Sequence, residues 1–305
     1  MLSAIRVTGA LFFVVAAIAL AQSESSPARP KARLNHVIER LEQGQVVMGT
    51  FPGTGGSLST ARALATSAND FVMFDLQYGL FDVRQVQLML FGMIDKSDIL
   101  KRGALQPRVT PLARIPESTH DSPEFAVKQL LDAGVFGIMF PHIESKKQAE
   151  AAVRSMRYPQ RNGVSFDEAD SRRGAPKDAS WYWGLSDAEY MQRADVWPIN
   201  PQGELLAIAQ IESSAGVAHL DEILRTPGIG AILIGPYHLS ESLGEKSYNS
   251  PKTEATVQII LKKCLENRIP CAYPVVGATP EESQREITRR REEGFKIITV
   301  NTTGR

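Results

Sequence analysis

Two hydrophobic periods alternate along this chain. Short, nearly unbroken apolar runs recur at Val47–Phe51, Phe71–Asp75, Arg108–Arg114, Phe136–Phe140, Leu205–Ile211, Ala231–Ile234, Pro270–Val275 and Lys296–Val300. Runs of this length without polar alternation read as strands buried on both faces. Between them, Ser57–Ser67, Val83–Ile94, Pro123–Ala133, Lys146–Met156, Glu254–Asn267 and Glu281–Glu293 read as helices. In Val83–Ile94 the residues Val86, Leu90 and Met93 share one helical face, and Gly134 closes the helix before it. Eight strands separated by helices or long connections predict a parallel sheet. Eight such units closing on themselves make an α/β fold, the (β/α)8 TIM barrel. An open doubly wound sheet is the competing architecture, and it would usually carry a phosphate turn after its first strand. Gly53-Thr54-Gly55-Gly56 fits neither the dinucleotide fingerprint nor the P-loop. It reads as a flexible turn or as a loop closing on a small ligand.

Two segments break the rhythm. Residues 1–21 carry Arg6, the apolar run Leu11 to Leu20, and Ala19-Leu20-Ala21, which together read as a signal peptide with Gln22 as the mature start. The run is short of the ~20 residues a bilayer-spanning helix needs, although an uncleaved anchor is the alternative. Residues 22–33 then form a linker, and 34–305 a single barrel domain. This reading implies an exported protein, periplasmic or secreted, with no stable membrane insertion after cleavage. The second break, residues 158–203, is a lid-like insertion holding Arg161, Arg172, Arg173, Trp181, Tyr182, Trp183 and Trp197. Its aromatics argue against disorder; packing over the barrel or at a subunit interface is the alternative to a lid. No long helix is expected after the last strand.

Composition narrows the class. The 305 residues are 43% hydrophobic and 22% charged, enough apolar material for one sizeable core. Formal net charge is zero, so no basic surplus argues for nucleic acid. Cys264 sits in a helical pattern and Cys271 in an apolar strand, as two buried thiols or a disulfide, and they make no metal motif.

Candidate chemistry gathers where barrels keep it, at the C-terminal ends of strands and in the loops beyond. Those positions hold Asp75, Tyr78, Arg114, His142, Glu212 and His238. Glu212 and His238 form a plausible ligand pair for a divalent cation, since carboxylate oxygen and imidazole nitrogen both bind such ions and two ligands leave room for water and substrate. His120, His219 and the Arg289-Arg290-Arg291 run read as surface features.

Several segments resemble the HpcH/HpaI aldolase family of the citrate lyase superfamily: Gln210-Ile211-Glu212, Ile234-Gly235-Pro236-Tyr237-His238-Leu239-Ser240, Phe74-Asp75 followed by Asp82-Val83, and the strand end at Arg114. The resemblance runs from about Gly49 to Thr303. It implies a metal-dependent class II aldolase that joins or cleaves pyruvate and an aldehyde, with a cation (Mg, Mn, Co or Zn) as cofactor, a keto acid and an aldehyde as small-molecule partners, and a possible homo-oligomer. By position, Glu212 matches the metal-ligand glutamate and Arg114 the arginine that engages the pyruvate-like substrate. Gly235 and Pro236, with Gln210, lie beside the keto acid.

Two positions depart from the family pattern. Relatives usually have Gly-Pro-x-Asp-Leu-Ser, whose Asp is the second ligand; here His238 stands there, which weakens a hard Mg2+ site relative to Zn2+, Co2+ or Mn2+. Relatives usually have Asp-Gly-Glu-His, whose His is the base; here the chain reads Asp75-Leu76-Gln77-Tyr78. A phenol with a pKa of about 10 is a poor base near neutrality. Tyr78 is then a re-tuned acid/base, or His142 takes over as base, or the pocket binds a keto acid without aldol chemistry.

Overall fold

The computed structural model describes residues 32–52, 56–117, 121–159, 173, 176, 178–277 and 279–300. The signal-peptide reading, the Gly53–Gly55 turn and the arginines at 161 and 172 fall outside these residues.

Among the described residues, eight parallel strands close on themselves. They are β1 (Val47–Thr50), β2 (Phe71–Asp75), β3 (Thr110–Arg114), β4 (Gly137–Phe140), β5 (Leu205–Ile211), β6 (Ala231–Ile234), β7 (Cys271–Val275) and β8 (Ile297–Val300). Each pairs in parallel with the next, and β8 pairs with β1 to seal the cylinder. A two-residue strand, Val196–Trp197, adds to the start of β5. The barrel therefore has the form the apolar runs predict, with strand ends shifted by one or two residues. β5 is buried along all seven residues because helices cover its outer face and neighbouring strands fill its inner one.

Alternate residues point inward. Phe71, Met73, Leu112, Met139, Leu206, Ile208, Leu233, Ala272 and Ile297 converge on the axis, with Val37 from the helix His36–Glu42 below, and leave a void of only about 10 Å3. The interior is thus a packed core rather than a pore. Gly49 makes this packing possible: a Cβ there would stand 2.4 Å from the ring of Phe71.

The helices follow local signals. Ser57 and Thr60 form a capping box at the start of Leu58–Ala65, Asp82 caps Val83–Gly92, and Ser145 caps Lys146–Met156. The helix predicted at Glu254 starts earlier, as Pro251–Glu266, with Ser250 as cap and proline in its first turn. The helix Lys96–Arg102 escapes a periodicity reading because it buries no residue. No described helix is long and apolar enough to cross a membrane. Cys264 and Cys271 are buried free thiols, not a disulfide.

Much of the aromatic insertion is described. Trp183 stacks on Phe136 with centroids 4.1 Å apart and donates its indole N–H to the Gly134 carbonyl at 2.8 Å. Both partners precede β4, so this part of the insertion packs at the N-terminal end of the barrel, away from the strand ends that carry the candidate chemistry.

Candidate metal centre

The inward register that builds the core also builds the site. Stepping by two from Phe71 and Met73 reaches Asp75; from Leu112, Arg114; from Leu206 and Ile208, Gln210 and then Glu212; from Leu233, Gly235. The packed apolar layers thus give way to a polar layer at the C-terminal mouth. These five residues line a cavity of about 220 Å3, joined by Tyr78, Pro236 and His238.

Glu212 is its centre, with a side chain only 1% exposed. Its Oε1 accepts the backbone N–H of His142 at 2.9 Å, and its Oε2 accepts Nε2 of Gln210 at 2.6 Å. Nδ1 of His238 lies 2.8 Å from Oε2, and Nε2 of His142 lies 3.3 Å from Oε1. Donor atoms of His142, Glu212 and His238 all fall within 4.8 Å of one another. Among the described residues no lysine or arginine pairs with Glu212. A buried carboxylate held by neutral donors and two imidazoles lacks a full countercharge, which buried charges normally have. The donor set fits a divalent cation.

Local structure aims each of these donors. His142 follows β4 in the left-handed region, at φ 51°, uncommon outside glycine though tolerated by histidine. That turn is what presents its N–H to Glu212. His238 stands in the first turn of the helix Pro236–Ser242, entered through Gly235. A Cβ on Gly235 would lie 2.6 Å from Oε2 of Glu212 and 2.7 Å from its Cβ. Only glycine lets the chain pass this close behind the carboxylate.

Arg114 forms a second unit. Its Nε and Nη2 donate to the two oxygens of Asp75 at 2.9 and 2.5 Å, and its Nη1 donates to Oε1 of Gln210 at 3.3 Å. The rings of Phe51 and Tyr78 lie 4.9 and 5.1 Å from its guanidinium carbon. A guanidinium has five N–H groups, so these three bonds leave two for a ligand. Asp75 neutralises Arg114, which leaves the charge of Glu212 as the unbalanced one in the cavity.

The profile of the HpcH/HpaI aldolase/citrate lyase family matches residues 54–294. The chain belongs to this family. It is 29% identical over 210 residues to a hydroxypyruvate/pyruvate aldolase of Paraburkholderia phytofirmans, covering 69% of this chain and 71% of the relative. It is 26% identical over 226 residues to a 5-keto-4-deoxy-D-glucarate aldolase of Escherichia coli O157:H7, covering 73% and 75%. A solved HpcH/HpaI aldolase/citrate lyase family protein from Burkholderia cenocepacia superposes with a TM-score of 0.70 at 26% identity, covering 88% of this chain and 92% of that one.

Against the HpcH/HpaI pattern, the two departures meet each other in space. Asp75 Oδ1 accepts the N–H of Gln77 at 3.1 Å, a turn that brings Tyr78 back across the mouth. The hydroxyl of Tyr78 then lies 3.1 Å from Nε2 of His238. Tyr78 is 66% exposed. Partial desolvation there, with Glu212, Asp75 and Glu117 nearby, raises the phenol above its ordinary value against the pull of Arg114. Tyr78 therefore stays protonated near neutrality.

Eight of the nine residues singled out in the sequence line the mouth cavity. His142 stands on the other side of Glu212, its ring centroid 5.1 Å from that of His238. Sequence reasoning missed Phe51 and Glu117. Glu117 Oε1 lies 3.3 Å from His142 Nε2. Both follow barrel strands, so the strand-end rule, carried a few residues further, reaches them. A larger cavity of about 540 Å3 lies where chain segments enter β3 and β4, at Val109 and Phe136, remote from this centre.

Proposed function

We propose that this chain is a divalent-cation-dependent aldolase that cleaves 4-hydroxy-2-oxo acids into pyruvate and an aldehyde. The observation that carries the reading is the pairing of a buried, uncompensated Glu212 with a neutralised Arg114–Asp75 fork in one small cavity. With its imidazoles in the neutral form that binds metals, the cavity is net negative and would repel a keto-acid anion. A divalent cation held by Glu212 and His238 reverses that sign. When bound, such a cation supplies Lewis-acid polarisation of the 2-oxo group.

The protein's own groups do the remaining work. Arg114, fixed by Asp75 and Gln210, offers its two spare N–H groups to a carboxylate or to the oxygen on which negative charge develops. In cleavage the 4-hydroxyl loses its proton, the C3–C4 bond breaks, and its electron pair passes to C3 and is delocalised onto the 2-oxo group. Protonation at C3 then yields pyruvate, and C4 leaves as the aldehyde carbonyl. Tyr78, kept protonated, suits hydrogen-bond donation to that oxygen rather than proton abstraction. His142 and Glu117, beside each other at the mouth, are the groups able to accept the proton. The aldolase names of the relatives support the reaction class. The signal-like first 21 residues support an exported enzyme.

A phenol at Tyr78, where relatives usually carry a basic histidine, favours a second reading: a keto-acid-binding barrel that has lost aldol activity, or an enzyme of altered chemistry. A pyruvate-release assay over a panel of 4-hydroxy-2-oxo acids separates the two. The aldolase reading expects release that is abolished by chelation and by Glu212→Ala. Release that survives both changes contradicts it. Keto-acid-dependent thermal stabilisation with no release on any substrate supports the binding protein.

A further inference from the structure

We infer that His142 is a third protein ligand, so that His142, Glu212 and His238 present two imidazoles and one carboxylate to the cation and select a first-row transition metal over Mg2+. The inference rests on the reading above for the presence of a cation and goes beyond it in naming the ligand set.

Three observations converge. The donor atoms of the three residues lie within 4.8 Å of one another, and the two imidazole rings lean together at 29°. His142 holds a left-handed backbone, which costs stability in a non-glycine residue unless its surroundings fix it. Here the backbone N–H of His142 donates to Oε1 of Glu212 at 2.9 Å, and its Nε2 lies 3.3 Å from the same oxygen. Finally, His238 keeps Nδ1 toward Glu212 while its outer nitrogen meets the Tyr78 hydroxyl. Metal-binding histidines are commonly held in this way, the free nitrogen tied to a second group that fixes ring and tautomer. The phenol standing at the family's base position is thereby an orienting partner of a ligand.

The competing assignment is an ion pair of His142 with Glu117, 3.3 Å from the same Nε2. Glu117 has a side chain 52% exposed, and pairs exposed to that degree hold little energy. Imidazole nitrogens suit Zn2+, Co2+, Mn2+ or Fe2+, whereas Mg2+ demands oxygens and keeps its waters. With His142 on the metal, the proton acceptor beside it becomes Glu117.

The test counts nitrogens. Full-length protein is loaded with Cu2+ as probe, and coupled imidazoles are counted by electron spin echo spectroscopy. Zn2+ and Mg2+ affinities are measured by competition with a chromophoric chelator. The variants are His142→Asn, which tolerates the left-handed backbone, His142→Gly should the first misfold, and Glu117→Gln. The expected result is two coupled imidazoles in the wild type and in Glu117→Gln, and one in His142→Asn. Zn2+ binding should weaken on the order of 100-fold in His142→Asn with Mg2+ binding nearly unchanged. A wild-type count of one, or Zn2+ binding indifferent to His142, overturns the inference. Two imidazoles without pyruvate release would sink the aldolase reading alone. Mg2+-supported release with a count of one would sink this inference alone.

Discussion

Nδ1 of His238 lies 2.8 Å from Oε2 of Glu212, in a cavity where no lysine or arginine among the described residues meets that carboxylate. The pair sits at the top of a register that is apolar below and polar above. The same two-residue repeat that packs Ile208 into the barrel delivers Gln210 and Glu212 to its mouth. Fold and site are therefore one pattern, and its consequences can be measured separately.

Replacing His238 by aspartate restores the oxygen ligand that relatives carry. His238→Asp should shift metal preference toward Mg2+, by about tenfold or more in the ratio of Mg2+ to Zn2+ affinity. Competition titration of both ions reads the ratio directly. An unchanged ratio would mean that His238 does not touch the metal.

Gly235→Ala should damage the centre without unfolding the barrel. The added methyl would press on Oε2 and Cβ of Glu212, which has no room to retreat. Metal affinity should fall roughly 10- to 100-fold, while far-ultraviolet circular dichroism stays native. Isothermal titration of the folded variant checks this, and wild-type affinity would show that the loop can give way.

Arg114→Lys keeps the charge and loses the fork. Because Asp75 and Gln210 fix the guanidinium in its plane, the point charge of lysine cannot reproduce its spare donors. A drop of about 100-fold in kcat/KM for pyruvate release is expected. A loss confined to KM would assign Arg114 to binding alone.

The barrel and most of its mouth were legible in the sequence for a physical reason. Strands buried on both faces leave short apolar runs that little else produces, and barrel chemistry collects at their C-terminal ends. Asp75, Arg114 and Glu212 follow from those two facts. The positions read least well depend on loop geometry. Nothing in the sequence tells that His142 takes a left-handed turn beside Glu212, or that Tyr78 folds back onto His238. The strand-end rule reaches His142 and offers it as a base, but only the folded turn shows its N–H 2.9 Å and its Nε2 3.3 Å from Oε1 of Glu212, the geometry behind its proposed place among the ligands. The aromatic insertion left a lid and packing on the barrel both open for a similar reason: only the fold shows that Trp183 stacks on Phe136, at the other end of the barrel from the strand ends where lids act.

Tyr78→Phe should separate orientation from proton transfer. The phenol lies above its ordinary value, so it holds its proton throughout the neutral range. Removing the hydroxyl should lower kcat up to about tenfold and leave the neutral limb of the pH–rate profile in place. Disappearance of a neutral limb would return Tyr78 to the role of acid or base.

Away from the site, Arg290 anchors an outer helix with a side chain 1% exposed, its fork on Glu254 at 2.8 and 2.7 Å and its guanidinium carbon 3.8 Å from the ring of Tyr273. Burial alone would raise the carboxyl of Glu254, but the Arg290 bonds, with Gln258 and Arg289, bring it down to about 2 from 4.5. A carboxyl depressed on folding stabilises above its unfolded value and loses that contribution as pH falls through the folded one. The wild type should therefore lose about 1–2 kcal/mol between pH 4.5 and 2, after allowance for solvent screening, that Glu254→Gln does not lose. Denaturant titrations across that window read the difference, and parallel slopes in both proteins would remove the ion pair from the account.

On the proposed reading, a divalent cation at Glu212 and His238 makes this cavity an aldolase site. Its most direct test is metal content after dialysis against equal concentrations of Mg2+, Mn2+, Co2+ and Zn2+, measured on wild type and Glu212→Gln. About one bound ion per wild-type chain is expected, drawn from the transition metals, and almost none in Glu212→Gln. A wild-type protein that retains no metal, or a Glu212→Gln variant that retains as much, would contradict it.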